Sequence, residues 1–137
     1  NLARRRHFLS VNKNMNILVV DDYRTMVRII KNLLKQLEFN NIDEAHNGEE
    51  ALRQLDAKSY GLVISDWNME PMTGLDLLKN VRQGETANKN VPFIMVTAES
   101  KTENVIAAKQ AGVNNYIVKP FNAQTLKNKM ASVLGDF

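Results

Sequence analysis

Cysteine is absent from all 137 residues. That removes disulfides and thiolate metal sites from consideration and fits a reducing compartment. Long apolar runs are missing too, and no stretch approaches the ~20 residues that span a bilayer. A basic domain surface is the third absence. The net charge is +3, but residues 1–14 hold Arg4, Arg5, Arg6 and Lys13 and no acid. Of 18 basic residues, 14 then remain against 15 acids, so residues 15–137 carry −1. The basicity belongs to an arm rather than to a groove for nucleic acid. The arm falls far short of a secretory h-region and is expected to be a flexible basic extension over 1–14, ahead of one domain over 15–137. No nucleic acid and no membrane are expected as partners.

Hydrophobic residues make up 44% of the chain, enough for a core in a single domain of ordinary size. Asn16 to Val20 is a short apolar run that predicts a buried strand. From Tyr23 to about Glu38 the apolar residues Met26, Val27, Ile29, Ile30, Leu33, Leu34 and Leu37 recur at helical spacing. Asn40-Asn41 breaks that helix, Ile42 to Ala45 reads as a second strand, and Asn47-Gly48 as a turn. Glu49 to Leu55 is helical, with acids in its first turn. Leu62 to Ser65 is a third strand, followed by a helix through Leu75, Leu77, Leu78 and Val81. Val91 to Val96 is a fourth strand. A helix from Thr102 or Glu103 ends at Gly112. Tyr116 to Val118 is the fifth strand, and Asn122 caps a last helix through Leu126, Met130 and Leu134. Only Gly135-Asp136-Phe137 follows, so no attached output domain is expected. Five rounds of strand and helix imply an α/β fold with a parallel sheet covered on both faces.

Ligands in such folds sit beyond the carboxyl ends of the strands. There the first strand delivers Asp21-Asp22, the third Asp66, the fourth Thr97 and the fifth Lys119-Pro120. Two unit charges ~4 Å apart repel by ~4 kcal/mol at an effective dielectric near 20. Three carboxylates therefore call for a hard divalent cation, and oxygen-only ligation favours Mg²⁺ over zinc. With Lys119 adding a second positive charge, the set suggests phosphoryl transfer to a carboxylate. Asp66 is the best-placed nucleophile, Asp21 and Asp22 hold metal, and the Thr97 hydroxyl can bond a phosphoryl oxygen.

The stretches NILVVDDYRTMVRIIKNLL, VISDWNM, MVTAES, AAKQAG and YIVKPF run from about Met15 to Leu134. They resemble response-regulator receiver domains, and within these the single-domain chemotaxis regulators of the CheY type. The resemblance implies a flavodoxin-like (βα)5 fold, with five parallel strands in the order 2-1-3-4-5. It implies that Asp66 accepts a phosphoryl group from a histidine kinase. Mg²⁺ would be held by Asp21, Asp22, Asp66 and the backbone carbonyl of Asn68. Thr97 and Lys119 would hold the phosphoryl group, and Lys119-Pro120 would be a cis peptide. Thr97 and Tyr116 would be switch residues, with output through the fourth helix, fifth strand and fifth helix. The side chains of Asn68 and Glu99 would tune hydrolysis. Beyond its own phosphorylation and dephosphorylation no enzyme activity is expected. A cytoplasmic monomer is implied, with a histidine kinase, a flagellar motor switch protein and a phosphatase as partners. A phosphate sink is the alternative within the family.

Three departures stand out. The family loop reads Met-Pro-x-Met-Asp-Gly, whereas here it is Met69-Glu70-Pro71-Met72-Thr73-Gly74, with proline displaced, an added acid and threonine before the glycine. Glu70 is expected to be solvated, Trp67 either docks a partner or packs on the loop, and His7 and His46 are expected to be exposed and structural. Other classes fit less well. A haloacid-dehalogenase-type phosphatase would want a second aspartate where Asn68 stands. A flavin protein would want a Ser/Thr/Gly-rich phosphate loop after the first strand. A phosphate-independent interaction module would not need Asp66, Thr97 and Lys119 together.

Overall fold

The computed structural model describes residues 11–98 and 100–137. Ten elements alternate: β1 Ile17–Val20, α1 Arg24–Gln36, β2 Ile42–Ala45, α2 Gly48–Ala57, β3 Leu62–Asp66, α3 Gly74–Gln83, β4 Phe93–Thr97, α4 Thr102–Ala111, β5 Asn115–Val118 and α5 Ala123–Leu134. All neighbouring strands are parallel, in the order β2-β1-β3-β4-β5. The order reverses beside β1, which puts the switch point between β1 and β3.

The inner strands β1, β3 and β4 are largely apolar because they are buried on both faces, whereas the edge strands β2 and β5 are only partly covered. Ile17, Val19, Leu62, Ile64, Ile94, Val96 and Ile117 point to one side, against Val27, Ile30 and Leu34 of α1 and Leu126 and Met130 of α5. Leu18, Val20, Val63, Phe93 and Met95 point to the other, against Ala51 and Leu55 of α2 and Leu77, Leu78 and Val81 of α3. Full burial of such a side chain contributes about 1.5–3 kcal/mol, so the two cores fix strand register firmly. That register aligns Val20 with Ser65, Asp66 with Val96 and Thr97 with Val118. Asp21, which follows β1, thus comes level with Asp66, and Lys119, which follows β5, lies two positions further along the strand direction.

Some expectations shift in detail. Asn47-Gly48 does not make a turn. Asn47 is the N-cap of α2, and its side chain accepts from the Glu50 amide at 2.7 Å. β4 begins at Phe93 rather than Val91, since Pro92 has no amide proton to give a ladder. Gly112 ends α4 with φ +97°, the left-handed value that favours glycine. The basic arm lies outside the described residues up to position 10. Of its remaining residues, Val11 packs on the α1/α5 core. Lys13 sits over the rings of Phe39 and Phe137, at 4.9 and 4.7 Å, and donates to the Leu37 carbonyl at 2.6 Å.

Candidate functional site

The three acids meet where the sheet order reverses. One carboxylate oxygen from each of Asp21, Asp22 and Asp66 lies within 4.8 Å of the others. Asp21 is 1% exposed and Asp66 4% exposed, while Asp22 is at the surface. Asp21 Oδ1 accepts from the Tyr23 amide at 2.9 Å, but its Oδ2 is buried without a hydrogen-bond partner. Asp66 Oδ1 lies 2.7 Å from Lys119 Nζ. That approach lacks hydrogen-bond direction, so the oxygen is ion-paired but not hydrogen-bonded.

A buried acceptor left without a donor costs about 1–3 kcal/mol, and Asp21 Oδ2 is such an oxygen, whereas Asp66 Oδ1 is offset by the Lys119 ammonium. Burial, above all, pushes the Asp21 carboxyl up from 3.8 to about 6; the Tyr23 amide opposes this, and the charge of Asp66 adds to it. An all-oxygen set of three carboxylates, with a buried Asp21 oxygen that no donor satisfies, fits a hard divalent cation. Asp21, Asp22 and Asp66 are the side chains that would hold it.

The strand ends place the remaining groups. The Lys119 amide donates to the Thr97 carbonyl at 2.8 Å, fixing the Lys119 side chain beside β4. Lys119–Pro120 is a cis peptide, as is Glu70–Pro71 in the altered loop. Thr97 is 8% exposed. It lines a crevice of about 10 Å³ with Trp67, Val105, Ala108 and Tyr116, room for no more than one water. The two expected switch residues therefore share one enclosed space. Trp67 packs on the α2/α3 core, as loop packing requires. Asn68 is exposed, and Glu99 lies outside the described residues. A groove of about 460 Å³ along Pro71, Met72, Asp76 and Lys79 is lined by none of the three acids.

The loop after Asp66 explains the departures at its far end. Thr73 caps α3 in a reciprocal box: its hydroxyl accepts from the Asp76 amide at 3.1 Å, and its own amide donates to Asp76 Oδ2 at 3.2 Å. Threonine thus does the capping work that an aspartate would do. Thr73→Ala is expected to lower stability by about 1 kcal/mol. Thr73→Asp, which keeps an acceptor there, is expected to stay within about 0.5 kcal/mol of the parent chain, and chemical denaturation measures both. Glu70 is exposed. The role of Gly74, which meets the carbonyl of Asp66 itself, was not visible in the sequence, because only the folded loop brings the two together.

His46 is a correction. It was expected to be exposed, but its side chain is only 19% exposed and belongs to a network. Its Nε2 lies 3.1 Å from Glu44 Oε1 and 3.4 Å from Arg24 Nη1, and its amide donates to Glu50 Oε2 at 3.2 Å. The position directly after β2, between two glutamates of adjoining elements, pulls the ring inward. His7 lies outside the described residues.

Residues 17–131 match the family described as the response regulator receiver domain. The chain is 54% identical over 123 residues to chemotaxis protein CheY-3 of Vibrio cholerae serotype O1, covering 90% of this chain and 94% of that protein. It is 52% identical over 119 residues to chemotaxis protein CheY of Pseudomonas aeruginosa, covering 87% and 95%. Among solved structures, chemotaxis protein CheY4 of Vibrio cholerae superposes with a TM-score of 0.82 at 30% identity, covering 88% of this chain and 99% of that one. The receiver domain of a sensor histidine kinase from Pseudomonas aeruginosa PAO1, solved with a magnesium ion in its active-site cleft, shares the fold. Its TM-score is 0.79 at 24% identity, covering 90% and 99%.

Proposed function

The chain belongs to the response regulator receiver domain family, and from that premise we propose that it is a chemotaxis phospho-switch whose phosphoacceptor is Asp66. The observation that carries this reading is the pocket itself: three carboxylates gathered within 4.8 Å, a buried Asp21 oxygen without a donor, and the Lys119 ammonium 2.7 Å from Asp66. The chemotaxis assignment draws on the relatives named above.

In the proposed reaction a carboxylate oxygen of Asp66 attacks phosphorus. The new bond is O–P, and the bond that breaks is P–N of a phosphohistidine on the donor kinase, whose imidazole leaves as the neutral ring with the proton already on its other nitrogen. Lys119 offsets negative charge on the transferred group, and the Thr97 hydroxyl donates to one of its oxygens. Mg²⁺, held by Asp21, Asp22, Asp66 and the Asn68 carbonyl, supplies charge neutralisation and orientation when bound. Water attack on the same phosphorus then releases phosphate and restores the carboxylate. In this reading the side chains of Asn68 and Glu99 tune the rate of that hydrolysis.

The output follows from Thr97. Its shift towards a phosphoryl oxygen empties part of the tight crevice it shares with Tyr116, and the ring turns inward. The face of α4, β5 and α5 then changes its affinity for a flagellar motor switch protein. A ratio change from 1:99 to 99:1 would need about 5.5 kcal/mol of differential binding. This reading makes the chain a cytoplasmic monomer, reset by its own hydrolysis and by a phosphatase.

Acetyl phosphate with Mg²⁺ tests the acceptor, with intact mass as the readout. One labile phosphoryl adduct is expected on the wild type, with none on Asp66→Asn and none in EDTA. An adduct of equal yield on Asp66→Asn would overturn the assignment.

A further inference from the structure

One strongly charged surface is left unused by the phosphoacceptor pocket. Arg24, Arg28, Lys31 and Lys35 follow one another along α1 at intervals of four, three and four residues, which places them in one stripe on the helix. The stripe borders a groove of about 300 Å³ whose other wall carries Glu44 of β2, the edge strand. Four cations and one carboxylate give this groove a charge of +3. Residues 15–137 together carry −1, so the rest of the domain carries −4.

Two of the cations are engaged: Lys31 pairs with Glu44 at 2.9 Å, and Arg24 lies 3.4 Å from His46. Lys31 also holds the Glu44 carboxyl below its ordinary range, so that acid stays ionised and tied down. Arg28 and Lys35 are exposed and have neither ion pair nor hydrogen bond among the described residues. A domain of slightly negative charge that concentrates cations on one helix face, and leaves two of them unpaired, has a surface suited to a local anion.

We propose that the α1/β2 groove docks an acidic segment of a protein partner, a helix bearing four carboxylates at the same four-three-four spacing. The stripe spans about 16 Å at 1.5 Å per residue, the length of three turns of such a helix. Screening selects for a short ligand. At physiological salt a charge is felt over about 8 Å, so a helix lying in the groove meets its +3 more strongly than the acids elsewhere on the domain. A nucleic-acid duplex or an anionic vesicle extends past the groove and also meets the acidic remainder of the domain. Asp66, Thr97 and Lys119 line no part of the groove, so this surface lies outside the phosphoacceptor pocket and the inference goes beyond the proposed function.

The test uses the isotope-labelled full chain and a short alanine-based helical peptide with glutamates at that spacing. Amide shifts are expected along α1 and β2, with affinity that falls as salt rises. Arg28→Glu/Lys35→Glu should weaken binding by about tenfold or more, and Arg28→Gln/Lys35→Gln by less. Unchanged sheet resonances show that both variants fold. Equal affinity in the charge-reversed variant, or shifts confined to residues 1–14, would overturn the proposal. So would tighter binding of duplex DNA or phosphatidylglycerol vesicles through Arg28 and Lys35.

Discussion

Asp21→Asn is expected to make the metal-free protein more stable while weakening its hold on Mg²⁺. The Asp21 carboxyl is 1% exposed, has one oxygen without a hydrogen-bond donor, and sits beside Asp66. Its pKa, about 6 in the fold against 3.8 ordinarily, means that the native state holds this proton more tightly than the unfolded state does. Stability from this group is therefore present below about pH 4 and is lost as pH rises through about 6. At pH 7 the ionised carboxylate costs the fold about 1–3 kcal/mol. Asparagine removes that cost, so in EDTA the variant should exceed the wild type by this amount at pH 7 and match it near pH 4. Mg²⁺ reverses the order, because the amide offers a neutral oxygen where a carboxylate stood, and affinity should fall by about tenfold or more. Denaturation with and without Mg²⁺ at the two pH values reads both effects. Equal stability of the two proteins in EDTA at pH 7 would show that the pocket carries no stored repulsion.

Gly74→Ala is expected to be the most damaging change outside the carboxylates. A Cβ there would collide with the backbone carbonyl oxygen of Asp66, lie 3.0 Å from its carbonyl carbon, and lie 2.7 Å from Met95 Sδ. The methionine end can yield, but the backbone of Asp66 cannot. The Gly74 amide also donates to the Trp67 carbonyl at 2.9 Å, so α3 cannot retreat without opening the loop. Destabilisation of about 3 kcal/mol or more follows. Any chain that still folds should accept phosphate about 100-fold more slowly, since the nucleophile is displaced. Melting temperature and the rate of acyl phosphate formation read the two consequences separately. A wild-type rate in Gly74→Ala would mean that α3 does not position Asp66.

How much of this was legible beforehand differs by residue. Strand and helix alternation was plain, because burial on both faces writes short apolar runs and a stripe such as Val27, Ile30 and Leu34 writes a helix. Once the strands were placed, the convergence of Asp21, Asp22, Asp66, Thr97 and Lys119 on one edge followed from topology. Contacts between loops were not legible. Nothing near Gly74 shows that its missing side chain makes room for Asp66. Asn88 lies in a polar stretch that looks like solvated loop, yet it is 2% exposed. It donates to the Leu55 and Lys58 carbonyls at 2.7 Å each and accepts from the Tyr60 amide. His46 was misjudged for the same reason, since its partners Arg24 and Glu50 come from α1 and α2. Periodicity reports which face of an element is covered, and it is silent on which polar groups meet where elements end.

The central claim is that the carboxylate pocket exists to let Asp66, and no other acid in it, carry a phosphoryl group. The most direct measurement traps the acyl phosphate by borohydride reduction after brief exposure to acetyl phosphate and Mg²⁺, then maps the altered residue by peptide mass spectrometry. The account predicts one reduced position, Asp66, and none when Mg²⁺ is withheld. Label at Asp21 or Asp22, or an unlabelled Asp66 in a folded chain that binds Mg²⁺, would contradict it.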